Sequence, residues 1–409
     1  MTKVKQIKKC RICGNRKLER VLDLGKTPPA NAFVSKKDLR KKEEYFPLVL
    51  VFCGKCFLLQ LAHSVDPKTL FRDYYYNTGA SKPLVEHFTR MADELSKHYL
   101  DSQEDLVVEF GSNDGVLLGA LRDRHRALGV DPADNVSKLA RKRGVETITD
   151  YFGKKSASKI VKKHGLAKVI VANNVFAHID DIHDVLRGVD ILLHDDGYFV
   201  FECHWVGNLI HEGGFDQVYH EHLFYYSLHA LKTLLATHGL TITDVNLVPI
   251  HGESLRVYAA KKGKENKAVN GFLEKEKEMG LTKKETYEGF SEKVISNKER
   301  LGDLLVALKK LGHSIVGYGA PGKSTTLLNY VGIGPKIIDF ITDTTPSKQG
   351  AYTPGMRIPI KHPDILTKKK PDYILLLSWN YADAILEKEK KIRKRGVKFI
   401  IPVPEIRIV

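Results

Sequence analysis

The sequence predicts an α/β chain: two nucleotide-type units preceded by a small cysteine-rich N-terminal unit. Cys10, Cys13, Cys53 and Cys56 form two Cys-x-x-Cys pairs ahead of any regular alternation. A strand-to-glycine turn, Leu106 to Gly115, opens an alternation of apolar runs and amphipathic stretches, and a second glycine turn, Gly317 to Ser324, opens another. The 409 residues exceed one ordinary core, which agrees with two or three domains.

Residues 1–65 are read as the first unit. Four thiolates are the ligand set of a closed tetrahedral zinc, and with every position filled by sulfur the metal is structural. The pairs stand about forty residues apart, longer than in a typical ribbon, yet Cys13-Gly14 and Cys53-Gly54 have the form of knuckle turns. Metal binding would supply the folding energy that so thin a core lacks. A redox pair would be single, and the pattern argues against a disulfide framework. The fifth cysteine, Cys203, ends an apolar run and reads as a small buried side chain.

Residues 66–260 form the second unit, with 66–100 a helical connector. Its cluster Tyr74-Tyr75-Tyr76 precedes an amphipathic helix over 83–99. Strands are expected at 106–110, 127–130, 168–172 and 198–203, with helices at 115–124, 135–143 and 181–193 between them. This alternation implies a mostly parallel sheet covered on both faces. Two further strands, 241–248 and 254–260, are close enough for an antiparallel hairpin.

The first turn reads Glu109-x-Gly111-x-Asn113-x-Gly115, and Asp131 ends the next apolar run. Glycines permit close backbone approach and the later carboxylate takes ribose hydroxyls, so this is a nucleoside-cofactor site. The spacing is not that of a dinucleotide turn. It looks like the S-adenosylmethionine turn of class I methyltransferases, whose sheet also ends in such a hairpin. Ser112 and Asn173 join Glu109, Gly111, Asn113, Gly115 and Asp131 as expected cofactor contacts.

Residues 261–312 read as a polar, lysine-rich linker over 261–275 and a long helix over 283–311, with Phe290, Val294, Leu301, Leu304, Leu305 and Leu308 on one stripe. Residues 313–409 form the last unit, with strands at 314–318, 337–342, 373–377 and 398–401 and a helix at 324–330. Its turn, Gly317-Tyr318-Gly319-Ala320-Pro321-Gly322-Lys323-Ser324, fits both a phosphate loop and a G-x-G-x-x-G turn. ATP hydrolysis would need a further acid, for which Asp339 and Asp343 are available. Asp343 at the end of the next strand favours the Rossmann-like version. Either version aims amides at a phosphate, which makes Gly319, Lys323 and Asp343 candidate substrate contacts. Two such folds in one chain place the active site in the cleft between them.

The net charge of +16 invites a polyanion partner, but the lysines are dispersed along the chain. They read as solvated faces, and the positive field suits a small anionic substrate better than nucleic acid. No apolar run reaches the length of a membrane span, and the basic N-terminus lacks the apolar segment of a secretory signal. A cytoplasmic location is expected.

Acid, phenol and imidazoles concentrate in Phe215-Asp216-Gln217-Val218-Tyr219-His220-Glu221-His222, after the fourth predicted strand of the sheet. General acid/base work by His222, oriented by Glu221 and flanked by Tyr219, fits this position. A metal site of His220 and His222 with His204 or His211, and a solvated loop without chemistry, are the alternatives. Asn174 and His178 follow the third strand and reach the same cleft. Arg256, in His251-Gly252-Glu253-Ser254-Leu255-Arg256, either forks onto a phosphate or forms a salt bridge. On these residues alone, O- or N-methylation of another small molecule and a non-catalytic zinc protein holding RNA also stand.

The ordered set of cysteine pairs, Glu-Phe-Gly-Ser-Asn-Asp-Gly, Asn-Asn-Val-x-x-His, Phe-Asp-x-x-Tyr-His-Glu-His, His-Gly-x-Ser-x-Arg and Gly-Tyr-Gly-Ala-x-Gly-Lys resembles the sugar C-methyltransferases of deoxysugar biosynthesis over nearly the whole chain. The resemblance implies a zinc-binding domain, a middle S-adenosylmethionine domain and a Rossmann-like C-terminal domain. It further implies methylation at carbon 3 of a nucleotide-linked 4-keto-6-deoxy sugar bound between the last two. It makes His222 the base, with Tyr219 and Glu221 beside it, and lines the sugar with Asn174, His178 and Tyr76. Glu253, where the family usually has glycine, and Thr78-Gly79-Ala80, in place of a serine-rich run, are departures that bear on sugar identity rather than reaction type.

Overall fold

The computed structural model describes residues 3–70, 77–250 and 253–409. Tyr74, Tyr75 and Tyr76, and the turn residues His251 and Gly252, lie outside the described residues.

The first unit contains strands β1 (Val4–Gln6), β2 (Glu19–Thr27), β3 (Phe46–Cys53), β4 (Leu58–Leu61) and β5 (His63–Val65). β1 and β5 pair as a ribbon, while β2, β3 and β4 are antiparallel. Leu48, Leu50 and Phe52 alternate along β3 and are all buried, the period of a half-buried strand.

The middle sheet uses β6 (Leu106–Phe110), β7 (Arg126–Val130), β8 (Glu146–Ile148), β9 (Ala167–Asn173) and β10 (Leu193–His204), all parallel. β11 (Phe224–Tyr225) leaves this unit and pairs with β4, completing a four-stranded sheet β11-β4-β3-β2. The N-terminal sheet is therefore not confined to residues 1–65. β12 (Thr241–Val248) and β13 (Ser254–Ala260) form the expected hairpin, giving the order β12-β13-β10-β9-β6-β7-β8 with β13 antiparallel to β10. Every residue of β6 is buried, as a central strand covered on both faces requires. The helix Lys82–His98 covers one face with Leu84, Phe88, Met91 and Leu95 at helical spacing.

In the C-terminal sheet, β14 (Ile315–Tyr318), β15 (Ile341–Thr342), β16 (Ile360–Lys361), β17 (Tyr373–Leu376) and β18 (Lys398–Ile401) are parallel, and β19 (Arg407–Ile408) is antiparallel to β18. The long helix Lys284–Lys310 buries Tyr287, Phe290, Val294, Leu301, Leu305 and Leu308. The predicted α/β class with two Rossmann-like units is the observed one.

Several local expectations need correction. The strand β8 and the helix Lys154–His164 were not anticipated, so the His222 segment follows the fifth strand of its sheet rather than the fourth. The expected linker holds a helix, Lys267–Glu278, capped by the Asn266 side chain, which accepts from the Val269 amide at 3.0 Å. Its lysines mask a buried stripe of Val269, Leu273 and Glu276. The expected strand 337–342 shrinks to Ile341–Thr342, because the Gly334 carbonyl draws the amides of Ile337 and Ile338 into a turn.

Candidate active site

At the carboxyl end of β6 the backbone turns sharply, with Gly111 at φ +66° and Gly115 at φ +73°. A Cβ on Gly111 would lie 2.8 Å from the Val175 side chain, so only glycine lets this turn meet the loop after β9. Asp131, at the end of β7, accepts from the Asn113 and Ala133 amides at 2.9 Å each. The turn Thr78–Ala80 closes over the glycine loop: the Thr78 amide donates to Asn113 Oδ1, and Gly79 lies against Asp114, itself paired with Arg143.

Four buried polar atoms here have no partner among the described residues: Glu109 Oε2, Ser112 Oγ, Asn173 Oδ1 and Asn174 Oδ1. Burial holds the Glu109 carboxyl well above its ordinary range. Of these, Glu109, Ser112 and Asn173, at the carboxyl ends of β6 and β9, suit the hydroxyls and amines of an adenosyl and amino-acid ligand, so the set fits S-adenosylmethionine.

The segment after β10 is laid on the N-terminal sheet residue by residue. His220 Nε2 bonds to the Phe46 carbonyl at 3.1 Å, Asn31 Nδ2 donates to both Glu221 oxygens at 2.9 and 3.1 Å, and the Leu61 amide donates to the Leu223 carbonyl. His222 is left facing the cleft's other imidazoles, with its ring centroid 5.0 Å from His178 and 5.1 Å from His204. The Gln217 carbonyl, 3.3 Å from His222 Nδ1, can only accept, so Nδ1 carries the proton and the lone pair is at Nε2. Tyr219 donates its hydroxyl to that Nε2 at 2.8 Å. Gln217 and Tyr219 therefore orient the ring, and Glu221, expected to do so, is instead engaged by Asn31.

Burial pushes the Glu221 carboxyl up to about 7, opposed by the Asn31 hydrogen bond. Burial pushes the His178 imidazole down to about 4, so it is neutral near pH 7. His204, Trp205, Val206, Leu209, Gln217, His222, Tyr225 and Glu253 line a small cleft. Glu253 has φ +69°, a backbone conformation that favours glycine.

The other expected substrate contacts have internal roles. Arg256 is buried and forks onto Glu202 and Glu94 at 2.8 and 2.6 Å, with His87 on the same Glu202 at 2.9 Å. The fork is filled by carboxylates rather than offered to a phosphate. Lys323 lies 3.8 Å over the Trp379 ring and 3.7 Å from buried Asp216, which Trp379 also holds at 2.7 Å. Asp343 caps its own turn, accepting from the Ala320 and Thr345 amides at 2.7 Å each, and Gly319, at φ +82°, packs against Ser378.

The four cysteine sulfurs lie within 4.8 Å of one another, with Cys10 to Cys56 and Cys13 to Cys53 both 3.6 Å. Tetrahedral zinc with bonds of about 2.3 Å sets its sulfurs about 3.8 Å apart, so the donor set fits that ion. Among the described residues this is the one group of three or more His, Cys, Asp or Glu placed to hold a metal. Among the described residues the alternative histidine site is not formed, and His220 bonds instead to the Phe46 carbonyl. Cys203 is buried, as expected.

Strand order, glycine turn and cysteine cluster define the class: an S-adenosylmethionine-dependent methyltransferase with a zinc-binding N-terminal unit. Comparison with known proteins carries this further. A zinc binding domain family matches residues 10–71, a methyltransferase domain family residues 84–245, and the C-methyltransferase C-terminal domain family residues 249–404. C-methyltransferase NovU of Streptomyces niveus is 38% identical over 99% of this chain and 98% of its own. The chain belongs to this C-methyltransferase family.

Among solved structures, the magnesium protoporphyrin IX methyltransferase of Synechocystis aligns with a TM-score of 0.36 at 13% identity, covering 48% of this chain and 100% of that one. Geranyl diphosphate C-methyltransferase of Streptomyces coelicolor aligns at 0.34 and 14%, covering 42% and 76%. No helix among the described residues is long and apolar enough to cross a membrane.

Sequence reasoning missed Asn31 as the partner of Glu221 and Gln217 as the partner of His222, while His204, offered there only as a metal ligand, instead lies against the His222 ring.

Proposed function

We propose that the enzyme methylates carbon 3 of a nucleotide-linked 4-keto-6-deoxy sugar, with His222 removing the carbon-3 proton. The observation that carries this reading is the placement of the His222 ring in the cleft, held between Gln217 and Tyr219 with a neutral His178 beside it. The family resemblance and the C-methyltransferase relative support the substrate class.

A proton α to a ketone is far less acidic than imidazolium, so a histidine takes it only if the enolate oxygen is stabilised as it forms. The Tyr219 hydroxyl turns from Nε2 toward that oxygen as the carbon-3 proton takes its place on the freed lone pair. His178, being neutral, adds no second cation to oppose the imidazolium. Each correctly aimed donor lowers such a barrier by about 3 kcal/mol, on the order of 100-fold in rate. Glu109, Ser112, Asn113, Asp131 and Asn173 would hold S-adenosylmethionine, which would supply an electrophilic methyl group when bound. Asn174, from the loop that carries His178, faces the sugar. Tyr76, expected there too, lies outside the described residues.

The test is His222→Ala with a 4-keto sugar nucleotide in deuterated water. The variant is expected to bind S-adenosylmethionine as before by calorimetry and to lose exchange of the carbon-3 proton seen by NMR. Exchange at the parent rate, or label from a methyl-labelled donor found on oxygen or nitrogen, would overturn the proposal.

A further inference from the structure

Arg11 sits between two zinc-binding cysteines, yet its side chain points away from the sulfurs. The side chain is only 4% exposed, and besides a longer contact from Nη1 to Gln60 Oε1 at 3.4 Å its planar fork has three destinations. Nε donates to Asp180 Oδ1 at 2.8 Å, Nη2 to Ser64 Oγ at 2.8 Å, and Nη1 to the Leu61 carbonyl. Ser64 Oγ donates to the same Asp180 oxygen at 2.8 Å, so that carboxylate is gripped twice by the N-terminal unit. Asp180 stands two residues beyond His178 in the loop that follows β9. On the far side of this loop, His183 Nε2 reaches the carbonyls of Arg11 and Ile12 at 3.0 Å each.

The second imidazole is tied to the same point. The Leu223 amide donates to the Ala177 carbonyl at 2.9 Å, and the Leu223 carbonyl accepts from Leu61, whose own carbonyl takes Arg11. Leu223 adjoins His222, and Ala177 adjoins His178. One guanidinium thus spans the metal knuckle, the strand that carries the His222 segment and the loop that carries His178.

We propose that Arg11 is a positioning residue for methyl transfer, fixing the His178 loop through Asp180 and making the spacing of the two imidazoles depend on an intact cysteine knuckle. This rests on the roles given to His178 and His222 above. Lysine, a point charge without a fork, cannot make the three bonds together.

The experiment uses the full-length, zinc-loaded enzyme and two variants, Asp180→Ala and Arg11→Lys. Asp180 is 43% exposed and lies outside the knuckle, so its loss leaves the metal site chemically complete. Both variants are expected to keep one zinc per chain and S-adenosylmethionine affinity within about twofold. Their kcat should fall about tenfold or more while KM for the sugar nucleotide moves less than about threefold. The double variant should be no slower than the slower single, the non-additivity of groups acting as a unit.

An independent readout is the His178 ring in NMR. Burial holds it down to about 4, and it should titrate nearer its ordinary 6.5 once the loop is released. Unchanged His178 titration in both zinc-loaded variants, or zinc lost from Asp180→Ala, would overturn the inference. A moved titration with unchanged turnover would overturn it as well, and with it the catalytic reading of His178.

Discussion

Replacing Glu221 by glutamine should stabilise the protein, and only above mildly acidic pH. The carboxyl is buried against Asn31 and its pKa rises from an ordinary 4.5 to about 7. Each tenfold change in proton affinity is about 1.4 kcal/mol, so at pH 8 the native state carries a penalty of about 3 kcal/mol for ionising this group out of water. Below pH 4.5 both folded and unfolded chains hold the proton and the penalty vanishes. Between 4.5 and 7 the unfolded chain ionises first, and stability falls as pH rises. Glutamine keeps an oxygen for Asn31 and removes the charge. Glu221→Gln should therefore raise the melting temperature by roughly 5 °C at pH 8 and by little at pH 4.5, since about 3 kcal/mol shifts a large domain by that order. Thermal unfolding by circular dichroism across this range is the assay. An equal gain at both ends, or none at pH 8, would refute the reasoning.

Gly111→Ala puts a methyl group 2.8 Å from Val175 at φ +66°. It should weaken S-adenosylmethionine binding tenfold or more in calorimetry and cost about 1 to 3 kcal/mol in urea unfolding. Arg256→Ala leaves Glu202 buried without its guanidinium and should cost about 3 to 5 kcal/mol in the same assay. A raised KM for the sugar nucleotide with no loss of stability would restore Arg256 to the substrate.

The parts of this molecule written in contiguous residues were legible. Glu109 to Gly115 reveals its task because strand, turn glycines and helix all lie within a few positions, and the four cysteines because sulfur in pairs has few other uses. The helix Lys267–Glu278 was hidden because its apolar stripe is short and Glu276, one of the stripe, is an acid. Glu276 is buried by receiving Trp205 Nε1 and the Leu228 and His229 amides, partners far away in sequence. The ring of His222 was assigned to the wrong neighbour for the same reason. Adjacency in sequence favoured Glu221, whereas the folded chain turns Glu221 toward Asn31 and gives the imidazole to Gln217 and Tyr219. Arg256 was ambiguous because a guanidinium serves phosphate and carboxylate with equal geometry.

The strand β11 makes the boundary between first and second units one of space rather than of chain order. A chimaera that imports a relative's cysteine-rich segment alone would meet a foreign sheet edge at Phe224 and Tyr225 and foreign partners for His220 and Glu221. Residues 10–65 and 215–227 should therefore be exchanged together, and an isolated middle domain would leave β11 without its partner β4.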